Sequence, residues 1–327
     1  MKKIGGVAGM LLAGACAAFA APPERACAPR PAVLRHKGTE VARAKETARL
    51  ADCRGAFLAR MSEKAKALGL ASSRYANASG LTELSRTSAA DLLKIGRAMA
   101  ADPVLADAWS KTNATIRVAG PNSRIERIVH AYLKLKGFQT FVARYPFLGG
   151  KGGSLSHDGL SVRAHVVLTE VAGRRLLIAI AGQKFDGDPF AVDLAICDRV
   201  AAELQGKAPP SSPVLAAADA EGVGYCYATM DGEVSFENAN ATKEQIPAST
   251  TKMVTALCAR DIVGDVDRET LPIRSCDIVG GSGYTCYEGD VLNYRDAFLS
   301  LMLPSANTVA EAIGTTVGER ILRTGAK

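Results

Sequence analysis

The sequence predicts a mixed α+β protein built on a mainly antiparallel sheet. Three observations carry that prediction. The apolar runs 163–171 and 174–182 bracket Ala172-Gly173 as a hairpin. The runs 222–229 and 233–237 flank Met230-Asp231-Gly232 as a second one. Segments of helical period lie on both sides of these hairpins. With 327 residues, 48% of them hydrophobic, the chain can bury a large core without a metal or disulfide scaffold. One large domain, or two lobes sharing an interface, fits better than several small modules.

The elements follow in order. Met1-Lys2-Lys3, an apolar small-residue run to Phe19 and Ala18-Phe19-Ala20 before Pro22-Pro23 predict a cleaved export signal over 1–20. Ala13-Gly14-Ala15-Cys16 offers a weaker lipoprotein alternative. That run is too short and too rich in Ala and Gly to span a membrane. Residues 21–52 read as a polar extension, and Phe57, Leu58, Met61, Ala65 and Leu68 predict a helix over 53–68. Ser88-Ala89-Ala90-Asp91 opens a helix to 100, and Ser123-Arg124-Ile125-Glu126 a third over 123–135. Strand character is expected over 138–143, and an amphipathic helix over 190–204. Gln205 to Pro213 is the best linker, dividing 53–204 from 214–327. A last helix is expected over 306–316, after Pro304.

Composition narrows the function classes. Eight cysteines fit an oxidising compartment, and Cys276 and Cys286, flanking Gly280-Gly281-Ser282-Gly283, suggest a hairpin disulfide. No C-x-x-C pair exists and the four histidines are scattered, so neither a metal site nor a cofactor is expected. The formal charge of +7 is dispersed without an aromatic platform, which argues against nucleic acid. An anionic cell-wall polymer, or at most peripheral contact with a membrane surface, is the more natural partner. Oligomeric state is left open.

The chemistry concentrates in Ser249-Thr250-Thr251-Lys252, which enters the apolar run 253–257. On a helix, residues three apart share a face, so the Lys252 amine stands against the Ser249 hydroxyl and can take its proton. Downstream, Ser305 and Asn307 sit on a turn entering a helix and can present a hydroxyl and an amide to one cavity. Each motif alone is matched by an ordinary helix cap. Together they resemble the serine-lysine and serine-x-asparagine motifs of penicillin-binding D-alanyl-D-alanine carboxypeptidases. The stretch Gly280 to Asp290 between them resembles that family too.

The family's third motif, Lys-Thr-Gly on a strand edging the site, should follow the other two. Arg323-Thr324-Gly325 imitates it but is too close to the second motif and has no strand behind it. The better match lies upstream, in Lys151-Gly152-Gly153-Ser154, followed by the hairpin and the helix 190–204. Met61 to Leu70 and Tyr75 to Leu81 likewise resemble the family segment that normally follows the second motif. The resemblance therefore covers 53 to about 320 with its halves exchanged, as in a circular permutation. Joining nearby termini makes that physically reasonable. Two incomplete copies that complete their sites between chains are the alternative.

The resemblance implies a penicillin-binding transpeptidase-like fold: an antiparallel sheet flanked by helices plus a helical lobe, in permuted order. It implies an exported, periplasmic or cell-wall serine carboxypeptidase acting on peptidoglycan peptides, with β-lactams as covalent inhibitors. Ser249 would be the nucleophile, Lys252 the base and Ser305 the proton relay. Asn307, Lys151, Gly152, Gly153 and Ser154 would bind substrate, with the N–H groups of Ser249 and Ser154 as oxyanion hole. Gly152 stands where the family has threonine, so recognition of a terminal carboxylate should weaken by roughly 1.5–3 kcal/mol. A DD-endopeptidase and a catalytically impaired cell-wall-binding homologue are the rivals. A β-lactamase is disfavoured, because no loop glutamate is evident to activate a deacylating water.

Overall fold

The structure, a computed structural model, describes residues 37–157, 159–184 and 187–325. The predicted signal at 1–20, and residues 21–36 of the polar extension, lie outside the described residues. Helix α1 (Lys37–Ala67) precedes α2 (Ala89–Ala101), α3 (Pro103–Ser110) and the hairpin β1 (Asn113–Val118) and β2 (Arg124–Val129). Helix α4 (Lys136–Val142) leads into three long strands, β3 (Phe147–His157), β4 (Leu160–Val171) and β5 (Arg174–Gln183). Then come α5 (Ala191–Leu204), α6 (Pro213–Ala220), β6 (Gly224–Thr229) and β7 (Ser235–Glu237). A 3₁₀ turn at Ala248–Thr250 runs into α7 (Thr251–Ile262), followed by β8 (Thr270–Pro272), β9 (Val291–Asn293), α8 (Tyr294–Met302) and α9 (Asn307–Thr324).

The fold class is α+β. A five-stranded antiparallel sheet in the order β3-β4-β5-β6-β7 separates two apolar cores. Along β5, Leu177, Ala179 and Ala181 enter one core, while Leu176, Ile178 and Ile180 enter the other. Successive side chains on a strand point to opposite faces, so a strand buried on both faces reads as one apolar run. The first core joins the sheet to α1, α2, α7, α8 and α9; the second holds Phe138, Phe141, Phe190 and Ile196 from α4 and α5 and the turn before α5. Strands β5 and β6 pair from Leu176 opposite Thr229 to Ala181 opposite Gly224, so one sheet continues across the predicted linker. No helix among the described residues is long and apolar enough to cross a membrane.

Five local expectations are corrected. Residues 123–135 hold β2 and a short 3₁₀ turn rather than one α-helix, because Ala114 and Ile116 of β1 pair with Ile128 and Glu126 and the hairpin buries Ile116, Val118 and Ile128. Residues 138–143 fall in helix α4 rather than a strand, since Phe138 and Phe141, three apart, both bury against Phe190. The first helix starts at Lys37, not 53: its polar early turns are good helix formers, and Arg49 pairs with Glu46 and, across to α9, with Glu319. The linker is shorter than predicted, because Pro213 opens α6 with Ser212 as its cap. The suggested Cys276–Cys286 bridge is also not formed: Cys286 is a buried free thiol whose Sγ lies 3.7 Å from the Tyr284 carbonyl.

Buried Asp277 ties the loop before β9 to two helices. It accepts from Thr315 Oγ1 of α9 at 2.7 Å, from the Arg274 amide at 3.0 Å and from Arg54 of α1 at 3.4 Å. Removing the acceptor would leave these donors unmatched in a buried place. Asp277→Ala is expected to lower stability by about 2–4 kcal/mol, read as a lower urea midpoint.

Candidate active site

Ser249 sits on the 3₁₀ turn that feeds α7, and Lys252 in the first turn of that helix. Ala248 just before it has φ +46°, and Ser305 has φ +62°. Non-glycine residues rarely adopt the left-handed region, and such strain persists where surrounding contacts hold it. Of three such residues among those described, two flank this site.

The Lys252 side chain is fully buried, and its Nζ has three partners. It lies 2.7 Å from Ser249 Oγ, 2.7 Å from Asn307 Oδ1 and 2.7 Å from the Ser79 carbonyl oxygen. The orientation of the Asn307 amide follows from its other end, where Nδ2 donates to the Gly280 carbonyl at 2.9 Å. Carbonyl and amide oxygens accept only. A neutral amine therefore spends its two protons on Ser79 and Asn307, which leaves its lone pair facing the Ser249 hydroxyl. Burial, with the nearby Lys151 charge, holds the Lys252 amine well below its ordinary value, while Glu311 opposes the shift.

Lys151 comes from the sheet, on edge strand β3, and is 1% exposed. Its Nζ donates to Ser305 Oγ at 2.9 Å and to the Gly152 carbonyl. Burial draws its ammonium down to about 7. Gly153 lets β3 approach the nucleophile turn: a Cβ there would stand 2.6 Å from the Ser249 amide nitrogen. Residues more than a hundred and fifty positions apart, Lys151 and Ser305, thus meet within one chain.

Ser249, Lys252, Ser305, Asn307, Lys151 and Gly153 are brought together. Gly152 and Ser154 are placed differently. A Cβ at Gly152 would lie 2.6 Å from Tyr132 Cε1, on the face of β3 away from Lys151. Tyr132 cannot yield easily, because Phe138, Phe147 and Phe190 surround its ring. A glycine here is thus a packing requirement. Ser154 lies farther along β3 and is exposed. Arg323-Thr324-Gly325 ends α9 at the surface.

Sequence reasoning missed the carbonyls of Ser79 and Gly280, because a backbone acceptor has no side-chain signature. Ser79 does fall in the stretch Tyr75 to Leu81 that the family resemblance singled out. Gly80 beside it has φ +75° and meets the Ala248 carbonyl, so the loop is wedged under the nucleophile turn. No group of His, Cys, Asp and Glu among the described residues could hold a metal. Comparison of the chain with protein-family models, with curated proteins and with solved structures finds no match.

Gly152→Thr is expected to overpack the Tyr132 cluster and lower stability by about 1–3 kcal/mol in thermal melts. A second expectation concerns pH. Folding pulls Lys151 from its ordinary value of 10.5 to about 7, so between these values the unfolded chain holds more protons. Stability should therefore rise with pH across that window, by up to about 1.4 kcal/mol per pH unit for each such lysine. Lys151→Met should flatten the rise in urea titrations.

Proposed function

We propose that this protein is an exported serine D-alanyl-D-alanine carboxypeptidase of the penicillin-binding type, acting on peptidoglycan stem peptides. The observation that carries this reading is the buried Lys252 Nζ 2.7 Å from Ser249 Oγ, with two carbonyl oxygens, of Ser79 and Asn307, placed to accept the protons of a neutral amine. Ser249 Oγ attacks the carbonyl of the D-Ala-D-Ala bond while its proton passes to Lys252 Nζ. The tetrahedral oxyanion is held by backbone N–H groups, those of Ser249 and Ser154 being the candidates. The C–N bond then breaks, and Ser305 relays a proton to the departing amine. Lys151, hydrogen-bonded to Ser305 behind it, supplies positive charge to that relay. Water attacks the acyl-enzyme and releases Ser249. Asn307 acts first as the clamp that orients Lys252, a role its two hydrogen bonds support.

A second reading, a DD-endopeptidase of the same type, gains from two features. Gly152 carries no hydroxyl, and the Lys151 ammonium is buried behind Ser305, so a free terminal carboxylate meets few direct donors. Crosslinked muropeptide dimers cut faster than pentapeptide monomers would favour it.

Fluorescent penicillin should label the native protein once, on the peptide containing Ser249, and Ser249→Ala should abolish the label. Labelling that persists in that variant, or never occurs in the native protein, sinks the catalytic reading. The latter would leave a cell-wall-binding protein without catalysis. The acylation rate should climb with pH as Lys252 becomes neutral and fall again as Lys151 loses its proton near pH 7.

A further inference from the structure

Between β2 and β3 lies a residue that touches both walls of the site without lining it. His130 is 1% exposed and caps the 3₁₀ turn Ala131–Lys134. Its Nδ1 accepts from the Tyr132 amide at 3.2 Å, so Nδ1 is bare and the ring proton sits on Nε2. Nε2 lies 3.1 Å from the Gly150 carbonyl and donates to it. The His130 amide donates to the Thr112 carbonyl at 2.7 Å, and the adjacent Ala131 amide to the Leu303 carbonyl at 2.9 Å.

Gly150 immediately precedes Lys151, and Leu303 lies two residues before Ser305. One short segment therefore grips strand β3 by a side chain and the Ser305 turn by its backbone. As an edge strand, β3 leaves alternate peptide groups outside the ladder and open to such a partner. The ring has little freedom to move, with Tyr132 at 4.5 Å and Phe147 at 5.4 Å between centroids.

We infer that His130 is a positioning residue: its Nε2–H to the Gly150 carbonyl sets the register of Lys151 against Ser305. The consequence for rate rests on the proposed acylation of Ser249; the consequence for Lys151 does not. A displacement of β3 would lengthen the Lys151–Ser305 contact and admit water beside a lysine that burial now holds down. Misplacement by about 1 Å is enough to cost about a hundredfold in rate.

The test separates the two nitrogens. His130→Asn keeps an acceptor near Nδ1 for the Tyr132 amide but has nothing at Nε2. His130→Gln places an amide N–H near Nε2. The asparagine variant should fold with a lowered melting temperature, acylate with penicillin about ten- to a hundredfold more slowly, and show Lys151 titrating closer to its ordinary value. The glutamine variant should recover most of the rate and the native Lys151 titration. Lys151 is followed by NMR on lysine-labelled protein, assigned with Lys151→Arg. An asparagine variant with native rate and native Lys151 titration overturns the inference, as does a folded glutamine variant that stays as slow as asparagine. Should asparagine not fold, the glutamine variant decides alone by recovering or failing to recover both readings. If the native protein never acylates, the proposed function falls and the Lys151 titration alone judges His130.

Discussion

The structure turns on the desolvation of one amine. Lys252 is fully buried, and an ammonium taken out of water costs several kcal/mol unless it is paired. No carboxylate lies within ion-pairing distance of it among the described residues; its partners are two carbonyl-type oxygens and a hydroxyl. That environment favours the neutral form. A neutral amine needs only two acceptors, and the third contact is then left as base to hydroxyl. The same burial that would destabilise an ordinary surface lysine here favours a neutral amine set against a hydroxyl. The strain at Ala248 and Ser305, and the close wedge of Gly80 under the nucleophile turn, are consistent with a fold that subordinates local comfort to this arrangement.

Around that amine, each contact comes from a different part of the chain. Ser79 belongs to the loop after α1, Asn307 to the start of α9 and Ser249 to the turn before α7, while Lys151 reaches Ser305 from the sheet edge. The loop at Gly280 orients Asn307, and Asp277 anchors that loop to α1 and α9. Helix packing and site geometry are therefore one problem: a shift of α9 moves the amide that orients the base. The sheet makes the opposite demand. Its edge strand must be held rigidly without a neighbour on that side, and side chains from the 130–132 segment supply the hold.

Much of this was legible in the residues. The hairpins at Ala172-Gly173 and Met230-Asp231-Gly232 were visible as strand, turn and strand, and Ser249, Lys252, Ser305 and Asn307 carry side chains whose spacing has meaning on a helix or a turn. The failures share a cause. Segment 123–135 has helix-compatible capping and 138–143 has strand-compatible composition, yet tertiary pairing decided both: β1 recruited the first and the Phe190 pocket the second. Backbone acceptors such as Ser79 and Gly280 were invisible for a simpler reason, since any residue supplies a carbonyl. Gly152 adds a packing reason that the residues alone did not show. Its missing side chain suggested loss of a ligand contact, whereas its first neighbour is a packed tyrosine.

That last point changes how the third wall should be understood. Lys151 and Gly153 face the site, while Gly150 and Gly152 face the aromatic cluster around Tyr132. Alternation along a strand allows one residue to serve the lysine relay and the next to serve packing, with no side chain able to do both. Where carboxylate binding needs a hydroxyl, this strand has none at Gly152, and restoring one there meets a packed ring. Lys151, buried behind Ser305 rather than open to solvent, fits that division: its Nζ reaches the Ser305 hydroxyl at 2.9 Å, on the site face of the strand.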